Sequence, residues 1–279
     1  MVTLFSEMDL VSTYPFSCAK QHVLIDVGAH QGSSSEPFAL KGWKILAFEP
    51  EQKNHHAFLR NLAGFPDVLC IQKAVSDVSG AIVPFYVSKE HYGIHSLKPF
   101  HDTHELSCEV ETVRLDTALE QYAIPTVTVL KIDIEGADFF ALQSFNFDNY
   151  KPELVVVEFM DDRSVPNYGY SHHEMVRFME GHGYTAFVSE WALIKEYGRE
   201  GVQGDPHTWL RCRPYPLDHE PAWGNLIFMP EAAKEKFSIT LDQYLIALKK
   251  PQPNAFGRFL KRTLGCMRTL EFGLNKGKE

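Results

Sequence analysis

The chain of 279 residues predicts an α/β fold, in which helices on both faces cover a mainly parallel β-sheet. From Val23 onward, short runs of β-branched and apolar residues alternate with amphipathic stretches. One run, ELVVVEFM, is almost continuously apolar, as is typical of a strand that is buried on both faces. Hydrophobic residues make up 44% of the chain, which is a value typical of globular proteins.

The first part of the pattern predicts three strands and two helices. Strands are expected at HVLIDV from His22, at KILAFE from Lys44 and at DVLCIQKAV from Asp67. Between the first two, SSSEPFALKG predicts a short helix with a serine N-cap that ends at Gly42. After the second strand, PEQKNHHAFLRNLAG predicts a helix with four residues facing the core: Ala57, Phe58, Leu62 and Ala63.

The rest of the pattern adds strands on both sides of two further helices. GAIVPFYVS and EVETVRL predict antiparallel strands inserted into the sheet. TVTVLKIDI is the next core strand, GADFFALQSF its helix, and ELVVVEFM the strand after it. SHHEMVRFMEGHG predicts a helix that ends at Gly183. YTAFVSEWALI and NLIFMP then predict an antiparallel pair, joined by a long surface loop from Tyr197 to Trp223.

We expect one domain over residues 1–230 and a helical appendage over residues 231–279, because no segment before residue 230 has the composition of a linker. Within the appendage, AFGRFLKRTLGCMRTLEFGL predicts an amphipathic basic helix. Its apolar face is Phe256, Phe259, Leu260, Leu264, Met267 and Leu270. Such a helix is suited to peripheral contact with a membrane, or to docking on the domain or on a second copy of the chain.

Charge and cysteine usage restrict the partners and the compartment. The net charge of −9 argues against nucleic acid as a partner. The five cysteines are an odd number without a CxxC pair, which predicts free thiols rather than a disulfide framework. The first residues carry no basic, apolar leader, and no apolar run approaches the length of a membrane span. We therefore expect a cytoplasmic protein.

Acidic residues are predicted to gather at one edge of the sheet. Ligands of doubly wound sheets bind beyond the carboxyl ends of the strands, where the connecting loops diverge. In this chain five carboxylates lie at such strand ends: Asp26, Glu49, Asp133, Glu135 and Glu158. This edge is therefore the candidate ligand site.

The turn DVGAHQG after the first strand favours a nucleoside ligand over a simple tight turn. Gly28 and Gly32 allow a ligand close to the backbone, and Glu49 at the end of the second strand can accept both hydroxyls of a ribose. A dinucleotide would require G-x-G-x-x-G, but His30 occupies the middle glycine position. S-adenosylmethionine has no phosphate, so its site tolerates a larger residue there.

Together the motifs resemble the FkbM family of methyltransferases. The resemblance rests on DVGAHQG, AFEP, AVSD, LKIDIEGAD and VVVEF, and it covers about residues 22 to 190 in order. It implies a class I methyltransferase fold, Rossmann-like, with a mainly parallel seven-stranded sheet. It also implies S-adenosylmethionine as donor and O-methylation of a hydroxyl on a sugar, a glycan or a glycosylated natural product.

The resemblance further implies roles for the residues at the strand ends. Asp26, Gly28 and Gly32 are expected along the methionine part of the donor, with Glu49 on the ribose. The backbone of Ala74 and Val75 is expected to flank the adenine. Two choices remain open: Asp77 either reaches the adenine amino group or caps the following turn, and His30 either touches the donor or only shapes the turn.

Methyl transfer to a hydroxyl requires a group that removes the proton of the hydroxyl. The candidates are Asp133, Glu135 and His95, and Asp133 is also expected near the donor. Asp133, Glu135 and Glu158 could instead hold Mg²⁺, which would lower the pKa of the hydroxyl. The alternative is that Lys131 pairs with one carboxylate while Glu135 caps the helix that begins at Gly136.

The other histidines are expected to have no catalytic role. His101 and His104 have the spacing of metal ligands, but histidines on a polar loop are more often solvated. The pairs His55-His56 and His172-His173 fall on predicted helices and are expected at the surface.

Two other functions compete with methyl transfer. An NAD-dependent oxidoreductase would also bind a nucleoside at Glu49, although the turn lacks its middle glycine. A non-catalytic scaffold would retain the fold and donor binding but would lose nothing when Asp133 or Glu135 is replaced.

Overall fold

The computed structural model describes residues 5–88, 90, 94–196 and 204–250. The strands are β1 Val23–Val27, β2 Lys44–Phe48, β3 Val68–Ile71, β4 Ala74–Val75, β5 Ile82–Ser88, β6 His104–Val113, β7 Val129–Ile132, β8 Leu154–Phe159, β9 Tyr184–Trp191, β10 Trp209–Pro214 and β11 Trp223–Pro230. The α-helices are α1 Glu7–Thr13, α2 Glu36–Ala39, α3 Gln52–Asn61, α4 Leu115–Gln121, α5 Asp138–Gln143, α6 Asp161–Tyr168, α7 His172–Gly181 and α8 Lys234–Leu248.

The central sheet has the strand order β10-β9-β11-β8-β7-β1-β2-β3. Five neighbouring strands, β8, β7, β1, β2 and β3, are parallel to one another, and β11 runs antiparallel to both β8 and β9. The predicted seven-stranded, mainly parallel sheet is thus confirmed, with the predicted antiparallel pair at one side. Because β1 neighbours β2 and β7, the carboxyl ends of these three strands lie side by side.

An eighth strand, β10, lies antiparallel to β9 at the edge of the sheet. It falls within the segment from Tyr197 to Trp223, for which the sequence predicts only a loop, so that prediction is wrong for residues 209–214. Two side chains of β10, Trp209 and Cys212, are partly buried against the core. Arg211 and Arg213 on the same strand make its sequence appear polar. An edge strand with one covered face gives only a weak hydrophobic pattern.

The inserted strands form a separate sheet, which corrects the prediction that they join the central one. The order of this sheet is β4-β6-β5, with β4 parallel and β5 antiparallel to β6. The predicted strand DVLCIQKAV is split between the two sheets, as β3 and β4. At the break the backbone N–H of Lys73 donates to the carbonyl of Ile71, at 3.0 Å, and turns the chain.

Two details of the predicted helices are wrong. Ser35 precedes α2 without capping it through its side chain, because its hydroxyl donates instead to Asp26 Oδ2 at 2.7 Å. Ala63 lies beyond the end of α3 and is exposed, whereas Ala57, Phe58 and Leu62 are buried as expected. Helices α1, α4 and α6 have no counterpart among the sequence predictions.

Two apolar clusters cover the two faces of the central sheet. Successive residues of β1 alternate between them, with Ile25 in one cluster and Leu24 in the other, and both side chains are fully buried. This is the arrangement expected for a strand between two helical layers. On one face, α8 contributes Phe237, which is fully buried and makes ring contacts with Tyr14 and Phe187.

The basic amphipathic helix predicted after residue 250 lies outside the described residues. Its contact with a membrane or with a second copy therefore stays a prediction, as does the domain boundary at residue 230. Among the helices that the structure describes, none combines the length and the apolar character needed to cross a bilayer.

A buried lysine connects the ends of β1 and β7. The ammonium group of Lys131 donates to the carbonyl oxygens of Gly28, at 2.7 Å, and Val27, at 3.3 Å. It also lies 3.3 Å from Asp26 Oδ1 and 3.4 Å from Asp133 Oδ2. Burial alone would lower the pKa of Lys131, but the two carboxylates outweigh it and raise the pKa. Lys131 is therefore a buried cation.

We predict that Lys131→Met lowers the free energy of unfolding by about 3–5 kcal/mol, because it leaves the fully buried Asp26 without its cation. The matched control is Lys73→Met, which breaks a partly exposed pair with Glu111 and is expected to cost less than about 1 kcal/mol. Urea denaturation measures both. Adding Asp26→Asn to Lys131→Met should recover part of the loss, and an equal cost for the two lysine variants would contradict the prediction.

Candidate active site

A cavity of about 280 Å³ lies at the carboxyl ends of β1, β2 and β7, with the second sheet on its other side. Many of the residues that the sequence predicts for the site line it. They are Gly28, His30, Glu49, Ala74, Val75, His95, Asp133 and Glu135. The cavity therefore joins residues from both sheets around one volume.

The turn after β1 brings its backbone to the wall of the cavity. Gly28 has φ +75°, and a Cβ at this position would lie 1.8 Å from the carbonyl oxygen of Asp133, so only glycine fits. His30 also has a positive φ, of 47°, and its backbone N–H points at Glu49. Burial lowers the pKa of the His30 imidazole, and the Lys131 cation lowers it further. The ring is therefore neutral at pH 7.

Glu49 lies just after β2 and is almost fully buried. Its Oε2 accepts the N–H of His30 and its Oε1 accepts the N–H of Glu51, both at 2.8 Å. Burial raises the pKa of Glu49 to about 7, because the two hydrogen bonds only partly offset the loss of solvent. Each carboxylate oxygen keeps a second lone pair that can accept a further hydrogen bond.

Three residues expected to bind the donor do not line the cavity, and their contacts with the donor stay a prediction. Asp26 is fully buried beneath Lys131, where the ammonium and the Ser35 hydroxyl occupy its carboxylate. Gly32 packs close to the side chains of Phe58 and Leu62. Asp77 is exposed beyond β4, and its Oδ1 accepts a hydrogen bond from Ser76.

The segment LKIDIEGAD forms a tight loop that presents Asp133 and Glu135. The loop is closed by Asp138, whose carboxylate accepts the backbone N–H groups of Ile134 and Gly136, each at 2.9 Å. Burial raises the pKa of Asp138 to about 7. The closure holds Glu135 in the left-handed region, with φ 61°. The N-cap position of α5 is Ala137, so Glu135 does not cap this helix as the sequence suggested.

Cations are paired with two of the three carboxylates proposed as metal ligands. Their oxygens lie within 4.8 Å of one another. However, Asp133 is paired with Lys131, and Glu135 forms an ion pair with the buried Arg163. Glu158 is buried outside the cavity wall, and burial together with the nearby Asp133 raises its pKa well above the usual value.

This set of residues does not fit Mg²⁺. The ion requires ionised oxygen ligands that are free to bind it, whereas two of these carboxylates already have cationic partners and Glu158 lies outside the cavity wall. The alternative in which Lys131 pairs with carboxylates describes the site better, and we derive no catalytic step through a metal here.

A segment after β5 places His95 on the wall of the cavity. The neighbouring Ser96 pairs with Tyr86 through two backbone hydrogen bonds, and its hydroxyl donates to the carbonyl of Glu135 at 3.2 Å. The Nδ1 atom of His95 is buried and has no hydrogen-bond partner within the described part of the chain. Burial lowers the pKa of His95, so the imidazole is neutral at pH 7 and can accept a proton.

The remaining histidines differ in part from expectation. Both ring nitrogens of His104 are engaged, Nε2 with the carbonyl of Ile94 at 2.6 Å and Nδ1 with the N–H of Phe100 at 3.2 Å, so they are not directed at a metal. His172 was expected at the surface, but it is only 2% exposed. It packs on Phe159 at the end of β8, which a helical pattern alone does not reveal.

Sequence reasoning missed several residues of the site. These are Ser33, Ser34, Asn54, Lys73, Phe85, Leu97 and, as the partner of Glu135, Arg163. The serines directly follow the glycine turn, and Asn54 lies in the first turn of the helix after Glu49, so both positions gave a usable local signal. Arg163 gave none, because its position depends on how α6 packs against the loop.

A comparison with models of protein families identifies the family of this chain. The model of the methyltransferase FkbM domain matches residues 26–186. The sequence matches no curated protein.

Similar solved structures include a precorrin-6y C5,15-methyltransferase from Geobacter metallireducens, at 12% identity and a TM-score of 0.43, over 82% of this chain and 94% of that one. A TehB-like SAM-dependent methyltransferase from Corynebacterium glutamicum gives 10% identity and a TM-score of 0.40, over 82% and 89% of the two chains. An rRNA methylase from Streptococcus thermophilus gives 8% identity and a TM-score of 0.42, over 80% and 93%. Similarities this weak carry no argument about donor or acceptor.

The family match stands on firmer ground, because it spans more than half of the chain. It contains the end of β1, all of β2, β7 and β8, and the loops that line the cavity. The chain belongs to the FkbM family of methyltransferases and is an S-adenosylmethionine-dependent methyltransferase.

Proposed function

We propose that this protein is an O-methyltransferase that methylates a hydroxyl group of a sugar, a glycan or a glycosylated natural product. The observation that carries the proposal is the position of Glu49, a buried carboxylate that shares one cavity with the Gly28 turn, Asp133 and the neutral His95. The first three residues suit a nucleoside donor, and His95 suits the removal of a proton from a hydroxyl.

The residues around Glu49 fit the ribose of S-adenosylmethionine. The carboxylate already accepts one backbone N–H on each oxygen, which fixes its orientation. One free lone pair on each oxygen can then accept one of the two neighbouring ribose hydroxyls. The methionine part would lie along the turn at Gly28, and the adenine would lie against Ala74 and Val75, which line the same cavity.

The donor supplies a methyl group bound to a positively charged sulfur. The chain has to align the acceptor hydroxyl behind that methyl group and to take up its proton. Asp133, which is paired with the Lys131 ammonium at 3.4 Å, can accept a hydrogen bond and orient the hydroxyl. His95 is the stronger base of the two, because an imidazole holds a proton more tightly than a carboxylate does.

The acceptor side of the cavity supports a polyhydroxy compound. Asp133 is 41% exposed, and with Glu135 it offers carboxylate oxygens to hydroxyl donors. The overall charge of −9 disfavours a polyanionic acceptor. An acceptor panel of mono- and oligosaccharides, with amine and carboxylate analogues, tests this choice. Products must resist alkaline hydrolysis, which separates a methyl ether from a methyl ester.

We predict that S-adenosylhomocysteine binds about tenfold more tightly at pH 8 than at pH 6, because the ribose hydroxyls donate to ionised Glu49, whose pKa is about 7. As pH rises, the fraction of ionised Glu49 rises, and so does affinity. Calorimetry at both pH values measures this. Glu49→Gln should bind weakly and without that pH dependence, whereas Glu120→Gln, on the exposed face of α4, should behave as the wild type.

The same calorimetry distinguishes the proposal from an NAD-dependent oxidoreductase. Binding of NAD in place of S-adenosylhomocysteine would overturn the donor assignment. Binding that Glu49→Gln leaves unchanged would remove Glu49 from the donor site.

We predict that His95→Gln lowers kcat by about 10²–10⁴-fold, because it removes the proton acceptor. In the wild type, kcat should rise with pH through a pKa below 6.5 and level off above it, since burial lowers the pKa of His95 and only the neutral ring accepts a proton. The assay uses a saturating concentration of the methyl donor, so that the titration of Glu49, which changes donor affinity, does not affect the pH profile of kcat.

The control for His95 is the exposed His56→Gln, which should keep both the rate and the pH profile. Donor binding to His95→Gln should stay within about threefold of the wild type. A pH profile that His95→Gln shares with the wild type would exclude His95 as the base.

A further inference from the structure

A second cluster of polar side chains lies outside the cavity, between the start of α7 and the loop that precedes β11. Its members are His172, His173 and Glu220, and each has one nitrogen or oxygen atom within 4.8 Å of the others. His172 is buried, His173 is partly exposed, and Glu220 is 75% exposed. None of these residues belongs to the cavity described above.

The hydrogen bonds of His172 fix the orientation of its ring. The carboxylate of Asp161 accepts the backbone N–H of His172 at 2.9 Å and contacts the ring Nδ1 at 2.7 Å. A carboxylate facing Nδ1 requires the proton on that nitrogen, so Nε2 of the neutral ring carries a lone pair. A carboxylate on the far side of an imidazole is the usual outer partner of a metal-binding histidine.

His173 also has a hydrogen-bond partner at its Nδ1 atom. Its Nδ1 lies 2.8 Å from the hydroxyl of Tyr215, and its Nε2 lies 3.3 Å from Glu220 Oε2. The Nε2 of His172 lies 3.8 Å from the same oxygen. Two imidazole nitrogens and one carboxylate oxygen therefore converge. When the Tyr215 hydroxyl accepts the Nδ1 proton of His173, all three atoms present lone pairs, and a bound cation would balance them.

The separations are close to those of a metal site. Zinc bonds of about 2.0–2.1 Å to nitrogen or oxygen place neighbouring ligand atoms of a tetrahedron roughly 3.4 Å apart. The distances of 3.3 and 3.8 Å to Glu220 are near this value. A rotation of the exposed Glu220 side chain is enough to adjust them.

We propose that His172, His173 and Glu220 bind one divalent transition-metal ion, with Zn²⁺ as the best match. Two imidazoles favour Zn²⁺ over Mg²⁺ and Ca²⁺, which prefer oxygen ligands. Three protein ligands leave a fourth position for water. Nothing in this inference depends on the acceptor or on the donor of the methyl transfer.

The loop that carries Glu220 is held in place on its other side. His219 contacts Glu190 on β9 at 3.0 Å and Asp218 at 2.9 Å, and Arg211 on β10 pairs with Glu190 at 2.7 Å. Glu220 is thus presented toward α7 by a loop that is anchored to the sheet. A bound ion would join this loop to α7 and would stabilise the edge that contains β10.

The test is the titration of tag-free, EDTA-stripped protein with ZnCl₂ in competition with a chromophoric chelator, repeated with Co²⁺ for its visible spectrum. We expect one equivalent of tight binding and a higher Tm with the metal. His173→Ala and Glu220→Gln should each weaken binding at least tenfold. Asp161→Asn, which removes no ligand, should weaken it about 10–100-fold by releasing the orientation of His172.

Matched controls are His56→Ala and Glu235→Gln, which change an exposed histidine and an exposed glutamate elsewhere and should bind the metal as the wild type does. His172→Ala is avoided, because the loss of a buried side chain alone can unfold the protein. The proposal is overturned if the wild type binds no tight equivalent, or if His173→Ala and Glu220→Gln bind zinc as the controls do.

Discussion

The site depends on one buried cation. Lys131 on β7 lies beside Asp26 on β1. Its ammonium group contacts the backbone carbonyl of Gly28 and the carboxylates of Asp26 and Asp133. These contacts fix the start of the glycine turn and the position of Asp133 relative to each other. A charge that is taken out of water needs nearly complete pairing, so the geometry around it has little freedom. The Gly28 turn and Asp133, which both line the cavity, are therefore held together because the buried charge of Lys131 must be paired.

The same principle explains how so many carboxylates share one edge of the sheet. Lys131 balances Asp26 and Asp133, Arg163 balances Glu135, and burial raises the pKa of Glu158 well above its usual value. Glu49 is stabilised by backbone N–H groups instead, and its raised pKa shows that this compensation is partial. Glu49 is thus the carboxylate that gains most from additional hydrogen-bond donors, as a ribose would supply. Charge balance leaves a site that needs no metal to hold its carboxylates together.

Local sequence patterns predicted the parts of the site that lie at strand ends. Gly28, Glu49 and Asp133 were identified because the carboxyl ends of parallel strands meet, and the structure places all three on the cavity wall. The same rule did not place Asp26 and Glu158 on that wall: they lie near the ends of β1 and β8, the two strands that flank β7, and both are buried. Strand β10 was missed because an edge strand with arginines gives little periodic signal. His172 was placed at the surface because its helix offered no sign of Phe159 behind it.

The sequence by itself determined the α/β fold, the order of the main strands, the family and the edge of the sheet that carries the candidate site. These features follow from hydrophobic periodicity and from motifs of a few consecutive residues, which are local properties of the chain. Only the tertiary structure decided which carboxylates face the cavity, which are paired with cations, and which histidines converge on Glu220. Those outcomes depend on contacts between residues far apart in the chain, such as Lys131 and Gly28, which are 103 positions apart. Burial and pairing are set by packing, and packing has no local signature in the sequence.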